Sequence, residues 1–209
     1  MTRSSRGRFI VLEGLDGAGT TTQAQWLSGW LRARGRKVHA TAEPSRGPVG
    51  AMLRSVLSGR LVGAGNSGFD ARAVALLFAA DRLDHWASEI EPRLAEGCDV
   101  VSDRYVLSSL AYQAVSTGDA RWVAQVNAKA PQADLTLFLA VRPSVALRRR
   151  FAATADREIY ETPRFQERVH RAYRRALRTL GGRVEEIPGE RPVEEVSRLV
   201  VRALERLLR

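Results

Sequence analysis

Apolar positions along this chain fall into short β-branched runs separated by longer stretches at helical spacing. Phe9-Ile10-Val11-Leu12 is an apolar run ending in Glu13-Gly14, and it reads as a buried parallel strand. From Thr20 onward, Ala24, Leu27, Trp30 and Leu31 recur one turn apart up to Gly35, which predicts a helix. Lys37 to Thr41 predicts a second strand, 48–58 a short helix, 61–70 a glycine-containing loop and 71–96 a long helix stopping at Gly97. Asp99 to Ser102 predicts a third strand closing on Asp103, followed by helices over 106–117 and 119–128. Leu135 to Leu139 predicts the fourth strand, and Ser144 to Phe151 a helix that leads into a polar stretch at 152–163. A basic helix to Leu180, a fifth strand over Arg183 to Ile187 and a closing helix over Val193 to Leu208 complete the pattern. Strands alternating with helices predict an α/β fold, a five-stranded parallel sheet with helices on both faces. Such sheets bind ligands at the carboxyl ends of their strands. Glu13, Glu43, Asp103 and the loop after Leu139 fall at those ends.

Composition narrows the class. The 209 residues suit one domain over 1–209, with at most a lid or insertion. With 44% hydrophobic and 27% charged residues, disordered, collagen-like and disulfide-scaffold chains are excluded. No apolar run approaches the roughly 18 residues of a membrane span. The basic start, Met1 to Arg8, is followed by too short an apolar run for a signal segment. Cys98 is the single cysteine, so an internal disulfide is excluded and a reducing, cytoplasmic location is expected. His39, His85 and His170 lack metal-ligand spacing, and His85 is assigned a packing or hydrogen-bonding role.

The net charge is +10, and only two of the 33 basic residues, Lys37 and Lys129, are lysines. Residues 141–180 hold eleven arginines and four acids. Arginine suits two-pronged phosphate binding, but such a run also suits the solvated face of a helix. Nucleic-acid binding is not expected, because neither zinc-ligand spacing nor an aromatic-rich basic patch accompanies the charge.

Gly14-Leu15-Asp16-Gly17-Ala18-Gly19-Thr20-Thr21 has the phosphate-loop spacing of two glycines and a terminal Ser/Thr, with Thr20 in the lysine position. Glycines let successive backbone N–H groups face a phosphate, and the following helix adds its positive end. Thr21 is placed to meet Mg²⁺, and Thr22 an α-phosphate. A full charge about 4 Å from a phosphate oxygen contributes up to ~4 kcal/mol at an effective dielectric near 20. Half of that in the transition state is roughly thirtyfold in rate. Another cation must substitute, or turnover is low, and the arginine cluster is the natural source.

These residues resemble the thymidylate kinase family over about residues 8–206. The resemblance is carried by Phe9 to Gly19 with Thr21-Thr22-Gln23, by Glu43-Pro44 with Gly50 and Arg54, and by Leu76 to Arg82 with His85. It continues through Asp103 to Gln113, Pro131 with Asp134 to Thr136, Asp156-Arg157-Glu158, and Phe165 with Arg168, Val169 and Tyr173. It implies a P-loop nucleoside monophosphate kinase-like fold with a short lid at about 150–163. The implied activity is ATP-dependent conversion of dTMP to dTDP with Mg²⁺, and the implied assembly is a homodimer. Gly14, Leu15, Asp16, Gly17, Ala18, Gly19, Thr20, Thr21 and Thr22 would hold ATP, and Thr21 and Asp103 the metal. Arg54 and Arg104 would grip the dTMP phosphate. Phe78 would stack on thymine, and Arg82 would donate to a thymine carbonyl. Tyr112 and Gln113 would close on sugar and base, with Glu43 and Ser108 beside them. Asp16 would approach the 3′-hydroxyl and the acceptor phosphate. Gly17 stands where one subclass of the family has a catalytic arginine, so this chain resembles the lid-arginine subclass, with Arg148, Arg149, Arg150 and Arg157 as candidates. It departs from the family pattern at Thr20, at Ser45-Arg46-Gly47-Pro48 and in the lid acids Glu158 and Glu161. Two alternatives stay open, a nucleotide-binding protein with weak or lost kinase activity and a related kinase for another nucleoside monophosphate or biosynthetic acceptor, with a nucleic-acid-binding role ranked last.

Overall fold

The computed structural model describes residues 6–153 and 162–208. Five strands, β1 (Phe9–Gly14), β2 (Val38–Ala42), β3 (Asp99–Asp103), β4 (Leu135–Ala140) and β5 (Val184–Pro188), form one parallel sheet in the order β2-β3-β1-β4-β5. β1 is central, with Ile10 opposite Val101 of β3 and Leu135 of β4. Because side chains alternate across a strand, Ile10 and Leu12 enter one core with Leu27 and Leu31, while Phe9 and Val11 enter another with Ile90 and Leu94.

The helices are α1 (Thr20–Arg32), α2 (Pro48–Leu57), α3 (Ala71–His85), α4 (Glu91–Ala95), α5 (Val106–Thr117), α6 (Ala120–Val126), α7 (Pro143–Ala153), α8 (Pro163–Ala176) and α9 (Val193–Leu208). Each expected strand and helix other than the one over 71–96 is present, within a few residues of its expected ends. α1 and α9 pack together on one face, α4 and α5 on the other. Gln23 of α1 joins the pair, donating to Val193 O at 3.3 Å and accepting from Ser197 Oγ at 3.0 Å.

The long helix expected over 71–96 is interrupted. Between α3 and α4 the chain widens into one π-helical turn, Trp86–Ile90, where the Glu91 N–H bonds back to Trp86 O. Pro92, which brings no N–H and crowds the preceding turn, stands just inside α4. The 61–70 loop contains one 3₁₀ turn at Ala64–Asn66. The core of the expected lid, residues 154–161, lies outside the described residues. No described helix is long and apolar enough to cross a membrane.

Candidate active site

The loop between β1 and α1 closes over the carboxyl end of the central strand. Gly17 has φ +85°, and a Cβ there would lie 2.1 Å from Ala146 O of α7, so the left-handed backbone and the close approach both require glycine. Gly19, φ +95°, caps α1 without a side-chain bond, which leaves the first N–H groups of that helix facing the cavity. The cavity, about 800 Å³, is lined by Asp16 to Gln23, and by Arg104, Arg149, Arg150 and the segment Gly189 to Val193. Gly14 and Leu15 are buried beneath it.

β3 brings Asp103 across from α1, and Thr21 Oγ1 donates to Asp103 Oδ2 at 2.5 Å. Asp103 Oδ1 is buried and has no hydrogen-bond partner among the described residues. A hydroxyl beside an under-satisfied carboxylate is an oxygen-only donor set. It fits Mg²⁺, which takes few protein ligands and fills its shell with water and phosphate oxygens. Among the described residues no three His, Cys, Asp or Glu side chains form a metal cluster of their own.

Arg104 follows Asp103 in a left-handed conformation, φ +75°, uncommon for a residue with a Cβ. Its backbone N–H donates to Leu12 O at 2.9 Å. Its guanidinium donates to Gly14 O at 3.0 Å, Ser108 Oγ at 3.0 Å and Asp16 Oδ1 at 2.5 Å. Burial disfavours this cation, but Asp16 together with Tyr112, Tyr173 and Asp103 outweighs it and holds it firmly protonated. The Asp16 N–H donates to the Tyr112 hydroxyl at 3.0 Å.

A second, smaller cavity of about 110 Å³ adjoins this pair, lined by Asp16, Glu43, Pro44, Leu57, Phe78, Arg104, Ser108, Tyr112 and Gln113. Asp16 and Arg104 line both cavities. Beneath them Glu13 is fully buried, accepting from the N–H groups of Tyr105 (2.9 Å) and Ser108 (3.1 Å) and from Ser108 Oγ (2.6 Å). Burial pushes its pKa up to about 7 against the pull of those donors and Arg104. Tyr173, from α8, donates to Gly14 O at 3.0 Å and lies 3.0 Å from Ser108 Oγ.

The fold therefore brings together Asp16, Glu43, Phe78, Arg104, Ser108, Tyr112 and Gln113 at one cavity, and Asp16 to Thr22, Arg149 and Arg150 at the other. Two expected acceptor residues are elsewhere. Arg82 is 1% exposed and does not line the smaller cavity. Its guanidinium donates to Glu43 Oε2 (2.6 Å), Ser109 Oγ (3.1 Å), Tyr105 O (3.2 Å) and Asn127. The expected thymine donor is thus engaged by a buried carboxylate, which an arginine in this interior requires. Arg54 lines neither cavity and donates to Pro44 O (3.0 Å) and Ser45 O, bracing the β2–α2 loop. Arg148 does not line the phosphate-loop cavity, and Arg157 lies outside the described residues. Along α8, Arg168 donates to Val115 O at 3.1 Å and Arg174 pairs with Glu186 at 2.6 Å.

Arg191, in the β5–α9 turn, was not expected at the phosphate loop. Arg149 Nη1 donates to Gly189 O at 2.8 Å in the same turn, and Arg191 pairs with Glu195 at 3.2 Å. The signal was available, because this turn follows the carboxyl end of a fifth parallel strand, where such sheets bind ligands.

A glycine loop at the first strand–helix junction, an open helix N-terminus, a carboxylate–hydroxyl pair across from it and an adjoining aromatic cavity define a P-loop nucleotide-binding α/β protein. The chain belongs to the thymidylate kinase family, whose sequence profile, described as Thymidylate kinase, matches residues 12–200. A thymidylate kinase of Synechococcus sp. is 38% identical over 96% of this chain and 98% of its own length. Proteins of Aeropyrum pernix and Pyrobaculum aerophilum, provisionally named thymidylate kinases, are 40% and 37% identical. They cover 91% and 96% of this chain and 92% and 98% of their own lengths.

Proposed function

We infer that this protein transfers the γ-phosphoryl group of ATP to dTMP, giving dTDP and ADP. The observation that carries this inference is that Asp16 and Arg104 line both cavities, so one ion pair borders the phosphate loop and the aromatic pocket alike. ATP occupies the larger cavity, its phosphates on the loop N–H groups and the start of α1. dTMP occupies the smaller one, its base against Phe78 and its sugar beside Tyr112 and Gln113, with Glu43 and Ser108 on the wall.

The acceptor phosphate is already an oxyanion, so positioning and charge neutralisation accomplish most of the chemistry. Arg104 neutralises the acceptor phosphate and the phosphoryl group in transit, while Asp16 fixes the guanidinium plane and approaches the sugar hydroxyl. Arg149 and Arg150 supply the positive charge that the loop lacks at Thr20, in line with the lid-arginine subclass. Arg191 adds a further cation on the same rim. Thr21 and Asp103 would hold Mg²⁺, which would supply charge neutralisation for the donor phosphates. The whole chain acts as one kinase domain, with the segment near 150–163 as its lid.

The same inference extends to assembly as a homodimer through the outer face of α3, where Leu76 and Leu83 are 50% and 44% exposed. Sedimentation at micromolar concentration is expected to give twice the chain mass.

The direct test is coupled ADP release with ATP, Mg²⁺ and each of dTMP, dUMP, UMP, CMP, AMP and GMP. Turnover selective for dTMP is expected. Equal turnover with a ribonucleotide would reassign the acceptor, and binding of ATP and dTMP without ADP release would leave a nucleotide-binding protein.

A further inference from the structure

Three α3 side chains, Asp81, Arg82 and His85, hold the β2–α2 loop from its buried side. Asp81 accepts from Ser45 N at 2.7 Å and Ser45 Oγ at 2.6 Å, and Arg82 donates to Glu43 Oε2 at 2.6 Å. His85 Nδ1 lies 3.5 Å from Glu43 Oε1, and its Nε2 lies 2.8 Å from Thr41 Oγ1. The held loop supplies the Glu43 and Pro44 wall of the smaller cavity, and its carbonyls brace Arg54.

The charges of this cluster do not balance with a neutral His85. Glu43 and Asp81 are two buried carboxylates, and Arg82 is one buried cation. Glu89 adds a further carboxylate, its Oε1 3.6 Å from His85 Nε2 and 2.6 Å from His39 Nε2. An unbalanced buried charge is expensive, and protonating His85 balances the two buried carboxylates and leaves only the part-exposed Glu89, which also pairs with His39. The hydrogen bonds point the same way. His85 Nδ1 and Glu43 Oε1 are both buried without another partner among the described residues, and only an N–H on Nδ1 makes their approach favourable. On the other side Nε2 faces two oxygens, Thr41 Oγ1 at 2.8 Å and Glu89 Oε1 at 3.6 Å. A hydrogen on Nε2 serves both of them, since a carboxylate oxygen only accepts and a hydroxyl oxygen can accept.

We propose that His85 is a positioning residue, a buried imidazolium that fixes the Glu43 wall, so that dTMP binding weakens when His85 loses its proton while ATP binding does not. This rests on the acceptor role given above to the smaller cavity. Among the described residues, the charged or titratable groups around His85 are Glu43 from the β2–α2 loop, His39 from β2, Asp81 and Arg82 from α3, and Glu89 from the π turn. Burial alone would lower the His85 pKa, but Glu43, then Glu89 and Asp81, outweigh it and raise it.

The test compares wild type, His85→Asn and His85→Gln from pH 6.5 to 9.5, reading dTMP KM, ATP KM and kcat separately. Wild type is expected to show a dTMP KM that rises about fivefold or more on the alkaline side, with ATP KM flat. Both variants are expected to start about five- to tenfold higher in dTMP KM at pH 7 and to lose that pH slope. Wild-type dTMP KM and slope retained in both variants would overturn the proposal. Imidazole ¹⁵N shifts of the wild-type protein provide a readout that no variant's folding affects, and a neutral His85 at pH 7 would overturn it equally. If wild type releases no ADP with dTMP while the shifts show a charged His85, the acceptor role has failed and the charge assignment has not.

Discussion

The two cavities that meet at Arg104 are built in different ways. The larger one is made mainly of backbone: a glycine loop, an open helix end and a rim of arginines reached from α7 and the β5–α9 turn. The smaller one is made largely of side chains held from below, where Glu13, Arg82 and Tyr173 each hold a neighbour that contacts the cavity. A site made of N–H groups keeps its geometry when a side chain changes. A site made of a buried polar network loses partners with every change, and each orphaned group costs about 1–3 kcal/mol. The Thr20 position, where the usual lysine is missing, lies on the tolerant side.

The largest effect is expected where the two sides join. Arg104→Ala should reduce kcat/KM for dTMP by on the order of 10³-fold or more, read by steady-state kinetics with folding checked by circular dichroism. Next comes the pH dependence of stability at Glu13. Its pKa is raised from 4.5 to about 7, so the folded state holds that proton more tightly than the unfolded chain. Its contribution is fully present below pH 4.5 and is lost as pH rises through about 7. Denaturant melts of wild type and Glu13→Gln should therefore diverge across that window, with wild type losing on the order of 2–3 kcal/mol relative to the variant. Arg149→Ala with Arg150→Ala should lower kcat about thirtyfold, whereas Arg148→Ala stays within about twofold, as single-turnover rates would reveal. Phe78→Ala should raise dTMP KM about tenfold and leave ATP KM unchanged, the signature of a lost stacking contact on one side only. Thr20→Lys is the smallest, within about threefold in kcat and ATP KM, because four arginines already line that cavity. A tenfold gain would mean that the loop still lacks a cation.

Much of this was visible in the residues themselves. β1, α1 and the turn between them follow from Phe9 to Leu12, the glycine spacing and the period of Ala24, Leu27 and Leu31. Asp103 and Thr21 were paired by motif, and the fold brings them within hydrogen-bonding distance. What stayed hidden depends on contacts between distant segments. The partner that draws Arg82 inward, Glu43, is 39 positions away, and a motif reports a guanidinium without saying what it faces. Arg191 sits in a turn, where no periodicity marks its direction. The widened turn at Trp86–Ile90 hides in a helical pattern, since one extra residue barely disturbs the spacing on either side.

The strand order also has a consequence in time. β1 emerges early in synthesis, yet both of its neighbours, β3 at Asp99–Asp103 and β4 at Leu135–Ala140, come much later, and β2 pairs with β3 instead. At about 5–20 residues per second, the ribosome leaves the Phe9–Leu12 run without a sheet partner for several seconds. A chain stalled before residue 99 holds the whole phosphate-loop motif but cannot close the sheet that presents it. For the nascent chain, the interval before its middle third appears is therefore the period of greatest exposure to aggregation.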